Sequence, residues 1–188
     1  MKDKQLVRQA REGDETAWTE LVRQHQEALF RLAYLHLGDA AEAQDAAQEA
    51  LIRVYRSLHR FDDKRELKPW MLSIAANVAR NRKRSLGRYW AVLKRWREAR
   101  EEIEEDFRAS EARGESAELL WEAIRSLNGR DSEILYLRYF LELPVRECAE
   151  VLNVAEGTIK SRTTRALLRL KEKLASDFDD PAWRGKYE

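Results

Sequence analysis

The sequence predicts an all-α protein of two small helical domains joined by a partly helical linker. Three observations carry this. Of 188 residues 37% are charged, while only seven are Gly and three are Pro, too few turn formers for a sheet protein. Apolar residues recur at helical spacing through most of the chain. Near the C-terminal end, residues 144–166 carry a helix-turn-helix pattern, beyond a middle segment in which positive and negative charge are segregated.

Residues 4–11 form a short first helix, which Gly13 ends while Asp14 caps the next. The second, over 14–37, carries Trp18, Leu21, Val22, Leu29 and Leu32 at helical spacing. Gly38 stops it, and Asp39 caps a third helix over 39–58. That helix buries Ala43, Ala47, Ala50, Leu51, Val54 and Leu58, an alanine-rich stripe that implies close packing. Its opposite face, with Glu42, Asp45, Gln48 and Glu49, is free to meet a partner.

A polar connection over 60–68 leads to a fourth helix, which Pro69 can open. Met71, Ile74, Ala75 and Val78 point inward, and Trp70, Asn77, Arg80, Asn81 and Arg84 occupy the other face. Asn can bridge two atoms of adenine, Arg can reach guanine or phosphate, and Trp can stack on an unpaired base. The spacing alone equally fits a solvated helix with one tryptophan in the core.

The linker spans residues 87–117. From Arg80 to Arg100 nine basic residues stand against one acid, and from Glu101 to Glu118 eight acids stand against two bases. The formal net charge is only +1, yet such patches suit a chain with both a nucleic-acid surface and a basic protein partner. Tyr89, Leu93, Trp96, Ile103 and Phe107 fall near a period of 3.5, so part of the linker reads as an amphipathic helix. Helices follow over 118–127 and 131–141, with Gly129 as stop and Asp131 as cap. The tail, 176–188, contains Pro181 and mixed charges and is expected to be loosely ordered.

In the helix-turn-helix, Pro144 opens the first helix and Ala149 is small enough for a second helix to cross above it. Asn153 sits where the turn needs a left-handed residue. Val154, Ile159, Ala166 and Leu167 form the apolar stripe of the second helix. The remaining face, with Lys160, Ser161, Arg162, Thr164 and Arg165, suits phosphates and base edges.

The single cysteine, Cys148, excludes an internal disulfide framework and reads as a small core residue. No apolar run approaches transmembrane length and no signal-peptide core is present, so a cytoplasmic protein without membrane insertion is expected. His25, His36 and His59 make no closely spaced ligand pair, no nucleophile set converges, and no Gly-rich phosphate loop occurs. Neither an enzyme nor a cofactor or metal site is expected.

The run Gly157, Thr158, Ile159, Lys160, Ser161, Arg162, followed by Arg165 and Ala166, resembles the promoter-reading helix of bacterial sigma factors of the extracytoplasmic-function type, group 4 of the sigma-70 family. The first half resembles sigma region 2 and the second region 4. The resemblance implies a region 2-like domain over 1–86, a linker over 87–117, a region 4-like domain over 118–175 and a tail over 176–188. Residues 45–55 resemble the helix that grips the clamp helices of the largest polymerase subunit, which implies core-polymerase contacts at Asp45, Gln48 and Glu49. Phe61, with Trp70 and the segment 74–77, resembles the loop and helix that melt the minus-ten element. This carries Trp70, Asn77, Arg80, Asn81 and Arg84 over as minus-ten contacts, with 61–68 as a base-capturing loop. Lys160, Ser161, Thr164 and Arg165 match minus-thirty-five contact positions, flanked by Thr158 and Arg162.

The pattern departs from the family at Ala155 and Glu156, where Pro-Val is common, and at Thr163 and Thr164, which replace a bulkier pair. These departures bear on which promoter is read. The implied partners are core RNA polymerase, promoter DNA and a cognate anti-sigma factor, with the chain a monomer whose linker threads the polymerase's nucleic-acid channels. Two competing functions fit parts of the pattern: a helical protein-binding adaptor and a dimeric helix-turn-helix repressor. Only a sigma factor needs polymerase to recognise a promoter tightly.

Overall fold

A computed structural model describes residues 2–97 and 115–179, and among them every regular element is helical. The first half contains α1 (Lys2–Arg11), α2 (Glu15–Leu37), α3 (Ala40–Ser57), a 3-10 turn at Leu58–Arg60, and α4 (Leu67–Arg97). The second contains α5 (Glu115–Ser126), α6 (Gly129–Leu135) running into a π-turn at Tyr136–Phe140, α7 (Val145–Leu152) and α8 (Glu156–Asp179).

The local signals for the first helices act as anticipated. The Asp14 carboxylate accepts from the amides of Thr16 and Ala17, at 2.8 and 3.1 Å, and Asp39 accepts from Glu42 at 2.8 Å. Each satisfies a helix-end donor that has no partner within the helix. Gly38, at φ 76°, closes α2 in the left-handed conformation. Asn153 adopts φ 52° and ψ 51° at the helix-turn-helix bend, as its position requires.

Other boundaries differ. α4 begins two residues before Pro69, whose missing N–H falls within the first turn, where no helical partner exists. It then runs unbroken through Gly87 to Arg97, so the domain boundary expected at 86 lies inside a helix. One glycine costs a helix about 1 kcal/mol, which the surrounding Arg, Lys and Leu residues tolerate. α8 likewise continues past Leu174, and Pro144 caps α7 from outside rather than opening it from within.

Asn128, not Asp131, caps α6: its side-chain oxygen accepts from the amides of Arg130 and Asp131, at 3.2 and 3.0 Å. Asp131 is instead buried, accepting from the Asn128 amide group at 2.7 Å and pairing with Arg169 of α8. Asn128→Ala should therefore cost about 1 kcal/mol and lower the melting temperature by about 2–4 °C. An unchanged melting temperature would contradict this cap.

In α8, Leu167 does not join the core but is 40% exposed. The buried stripe is Ile159, Ala166 and Leu170, because Leu170 lies one turn beyond Ala166 whereas Leu167 is rotated about 100° away. Cys148 is buried, with Sγ 3.7 Å from the Leu143 carbonyl, and burial pushes its thiol up to about 11. It is an inert core residue.

α2, α3 and α4 pack as a bundle with α1 against α2. Ala43, Ala46, Ala47 and Ala50 are all buried on α3, so neighbouring backbones can approach closely. α4 carries a second buried stripe, Leu72, Ala76 and Ala79, beside the anticipated one. It receives α7 from the second half, while the π-turn packs against α2, and the buried residues form one continuous core. The linker expectations over 98–114 and the end of the tail, 180–188, lie outside the described residues, as do the side chains of Tyr89, Leu93 and Trp96.

Candidate nucleic-acid and protein interfaces

On α4, Asn77, Asn81 and Arg84 are exposed, and Arg80 is half-buried. Asn77 accepts a hydrogen bond from Arg80, and Asn81 accepts from Arg84 at 2.6 Å, so each amide is held by an arginine one turn on. This leaves their amide N–H groups free of those contacts. Trp70 is half-buried, its ring 4.8 Å from that of Phe61. Phe61 itself is buried, and its carbonyl accepts from Arg11. In this conformation Phe61 is a core residue and cannot stack on a base.

Arg80 also donates to both carboxylate oxygens of Glu133 on α6, at 2.8 Å each, and the His36 ring nitrogen lies 3.4 Å from the same carboxylate. Glu133 is only 5% exposed. Burial by itself pushes its carboxyl up, but the neighbouring His36 and the Arg80 guanidinium outweigh this and hold it below the usual range. Sequence reasoning did not single out Glu133. The available signal was an acid directly preceding the apolar run Ile134, Leu135, Tyr136 and Leu137.

On α8, Lys160, Ser161, Thr164 and Arg165 are exposed, with Thr158 and Arg162 half-buried. Thr164 donates to the Lys160 carbonyl at 3.2 Å, and Arg165 donates to the Ser161 carbonyl at 3.2 Å. These side chains lie along their own helix and are open to solvent.

The structure brings part of each face together, but leaves Trp70, Asn77, Asn81, Thr158, Lys160, Ser161 and Thr164 outside the shared cleft. Arg80, Lys83 and Arg84 of α4, Arg130 and Glu133 of α6, and Arg162, Arg165 and Arg169 of α8 line one cleft of about 1070 Å³, with His36 and Asp131. Seven cationic side chains there meet two carboxylates, each of which is already paired. Burial, and then the nearby Arg125 charge, depress the Lys83 ammonium. A concave surface of this kind concentrates phosphates.

The face of α3 is separate from the cleft. Asp45 is exposed and pairs with Arg82 at 2.8 Å, Glu42 pairs with the same arginine, and Glu49 pairs with Arg53 at 2.6 Å. Gln48 is exposed. Ile52 and Tyr55 continue the same face at helical spacing and are 51% and 54% exposed, a combination of acids and apolar groups that sequence reasoning had not separated out. His25 is buried near Asp3, and burial lowers its affinity for a proton. Among the described residues no cluster of three potential metal ligands occurs, and no helix is long and apolar enough to cross a membrane.

Comparison with known proteins matches both halves. The Sigma-70 region 2 family matches residues 21–89 and the Sigma-70, region 4 family matches residues 117–170. The chain is 31% identical to the ECF RNA polymerase sigma factor SigW of Bacillus subtilis over 179 residues, covering 91% of this chain and 96% of the other. It is 33% identical to the RNA polymerase sigma-H factor of Pseudomonas aeruginosa, covering 87% and 89%. Its fold resembles CnrH in complex with the cytosolic domain of CnrY, with a TM-score of 0.71 and 22% identity over 94% of this chain and 99% of that one. It also resembles the sigma factor RpoE of Bartonella quintana in complex with the anti-sigma factor NepR, with a TM-score of 0.61 and 22% identity over 85% and 97%.

Proposed function

The chain belongs to the sigma-70 family of RNA polymerase sigma factors, of the ECF type, and on that footing we propose which of its residues divide a promoter between them. It binds core RNA polymerase and directs promoter-specific transcription initiation. α4, through Asn77, Asn81, Arg80 and Arg84 with Trp70 beside them, meets the minus-ten element as its strands separate. α8, through Lys160, Ser161, Thr164 and Arg165 flanked by Thr158 and Arg162, holds the minus-thirty-five element as duplex. Asp45, Gln48 and Glu49 on α3 meet the polymerase, with Ile52 and Tyr55 supplying the apolar part of that contact.

The observation that supports this reading is the exposure of two separate sets of DNA-compatible side chains, one in each matched segment. Asparagine suits base edges, and the basic helix suits a duplex groove. Phe61 joins the minus-ten contacts only if the 61–68 segment leaves its packing on Trp70. The domain division proposed at 86 falls within α4, close to residue 89, where the region 2 match ends. A cognate anti-sigma factor is the expected regulator, as in the Bartonella complex, and the chain is expected to act as a monomer in the cytoplasm.

Transcription in vitro with purified core polymerase on a genomic fragment library tests the reading. Defined start sites that need both the chain and core enzyme are expected. Promoter duplex bound as tightly by the chain alone as with core enzyme would favour a repressor instead.

A further inference from the structure

We propose that Arg11 of α1 is a positioning residue for base capture. Its guanidinium, tied to Leu58, Phe61 and Asp63, holds the 61–68 segment in the path from which it takes a base of the minus-ten element. This role rests on the reading of 61–68 as a base-capturing loop.

Residues 61–66 join the 3-10 turn at Leu58–Arg60 to α4. Burial of Phe61 and Leu67 pins the two ends. Between them the hydrogen bonds are local: the Asp62 carboxylate accepts from the Lys64 amide at 2.9 Å, and the Asp62 carbonyl from the Arg65 amide at 2.9 Å. Such bonds shape the tip but join only neighbours, so they do not set its direction. Arg11 sets it from outside. Its Nε donates to the Leu58 carbonyl at 3.0 Å, one Nη donates to the Phe61 carbonyl, and the other pairs with the Asp63 carboxylate at 3.0 Å. One planar fork thereby fixes three residues that lie 47, 50 and 52 positions away.

The consequence for DNA follows from what the fork leaves outside. It keeps the Phe61 backbone in place while the ring packs on Trp70, and Asp62, Lys64, Arg65 and Glu66 stand exposed beyond it. Those are the groups that an unpaired base leaving the minus-ten element can meet. A loop ordered in advance loses less freedom when it closes on a base, and a polar group held in one place discriminates better than one that wanders. A lysine at position 11 keeps the charge, but its ammonium is a point donor and cannot serve three acceptors spread along the chain as the fork does.

Holoenzymes assembled from the full chain are titrated by fluorescence anisotropy against fork-junction promoter DNA. Abasic sites are placed in turn along the non-template minus-ten strand. At the captured position an abasic site should weaken binding by the parent about tenfold or more, and by Arg11→Gln less than about threefold. Arg11→Lys should behave like Arg11→Gln, and it keeps the test decisive should Arg11→Gln fail to fold. Affinity for core enzyme should stay at the parent value in both. An arginine that served stability alone would lower affinity for intact and abasic DNA alike, so folded variants with the parent's abasic penalty overturn the role. Replacing 62–66 by Gly and Ser separates the two layers of the argument. A parent indifferent to every abasic site, or a penalty that survives this replacement, shows that the loop captures no base and removes both. A penalty lost on replacement but kept in both Arg11 variants removes the role of Arg11 alone.

Discussion

Reversing Asp45 and Glu49 together to Lys should weaken binding to core RNA polymerase by several kcal/mol, about a hundredfold or more, because like charges brought together across an interface are expensive. The two carboxylates lie one turn apart on α3 and point to the same side. Their present partners are surface arginines, Arg82 and Arg53, and Arg82 keeps Glu42 when Asp45 is reversed. The fold should persist, and the far-ultraviolet circular dichroism should not change. Fluorescence anisotropy of labelled chain against core enzyme measures the effect. Parent-like affinity would show that polymerase meets another surface.

Neutral substitution in the recognition helix should have the second largest effect. Lys160→Gln or Arg165→Gln should cost about 1–3 kcal/mol in holoenzyme binding to the upstream element if the side chain reads a base edge, with relaxed preference at that position. If it meets only phosphate, affinity should fall evenly across sequences and the salt dependence should become shallower. Both side chains are exposed, and Arg165 leaves only hydrogen bonds to Ser161 when it turns to DNA. Binding titrations at several salt concentrations separate the two outcomes. Undiminished upstream affinity in both variants would remove α8 from promoter recognition.

Local chemistry made much of the fold legible. Asp14, Asp39 and Asn153 act within two or three residues of themselves, so their caps and turn could be read directly from their neighbours. The inward stripe of α4 and the alanine stripe of α3 followed from helical spacing for the same reason. What eluded sequence reasoning depends on distant partners. Asn128 and Asp131 are both good caps, and the choice was settled by Arg169, 38 positions further on, which takes the Asp131 carboxylate. Leu167 sits beside the true stripe, and one step along a helix turns a side chain from core to solvent.

The candidate site shows the same division. The exposure of Asn77, Asn81, Lys160 and Arg165 was readable from each helix alone. The placement of Arg80 and Arg84 in one cleft with Arg162 and Arg165 was not, because it depends on how α7 packs on α4 across the two halves. Glu133 was hidden for that reason: its partners, Arg80 and His36, lie 53 and 97 positions away. Phe61 was readable as an aromatic shortly before α4, but not as a buried one packed on Trp70.

The division of one promoter between α4 and α8 is tested most directly by permanganate probing of unpaired thymines, paired with upstream footprinting, on holoenzymes carrying Asn77→Ala or Arg165→Ala. With Asn77→Ala, upstream protection should be normal and thymine reactivity around minus ten lost. With Arg165→Ala, upstream protection should weaken at the same polymerase affinity. An Asn77→Ala holoenzyme that opens promoters like the parent, or an Arg165→Ala holoenzyme with full upstream protection, would contradict it.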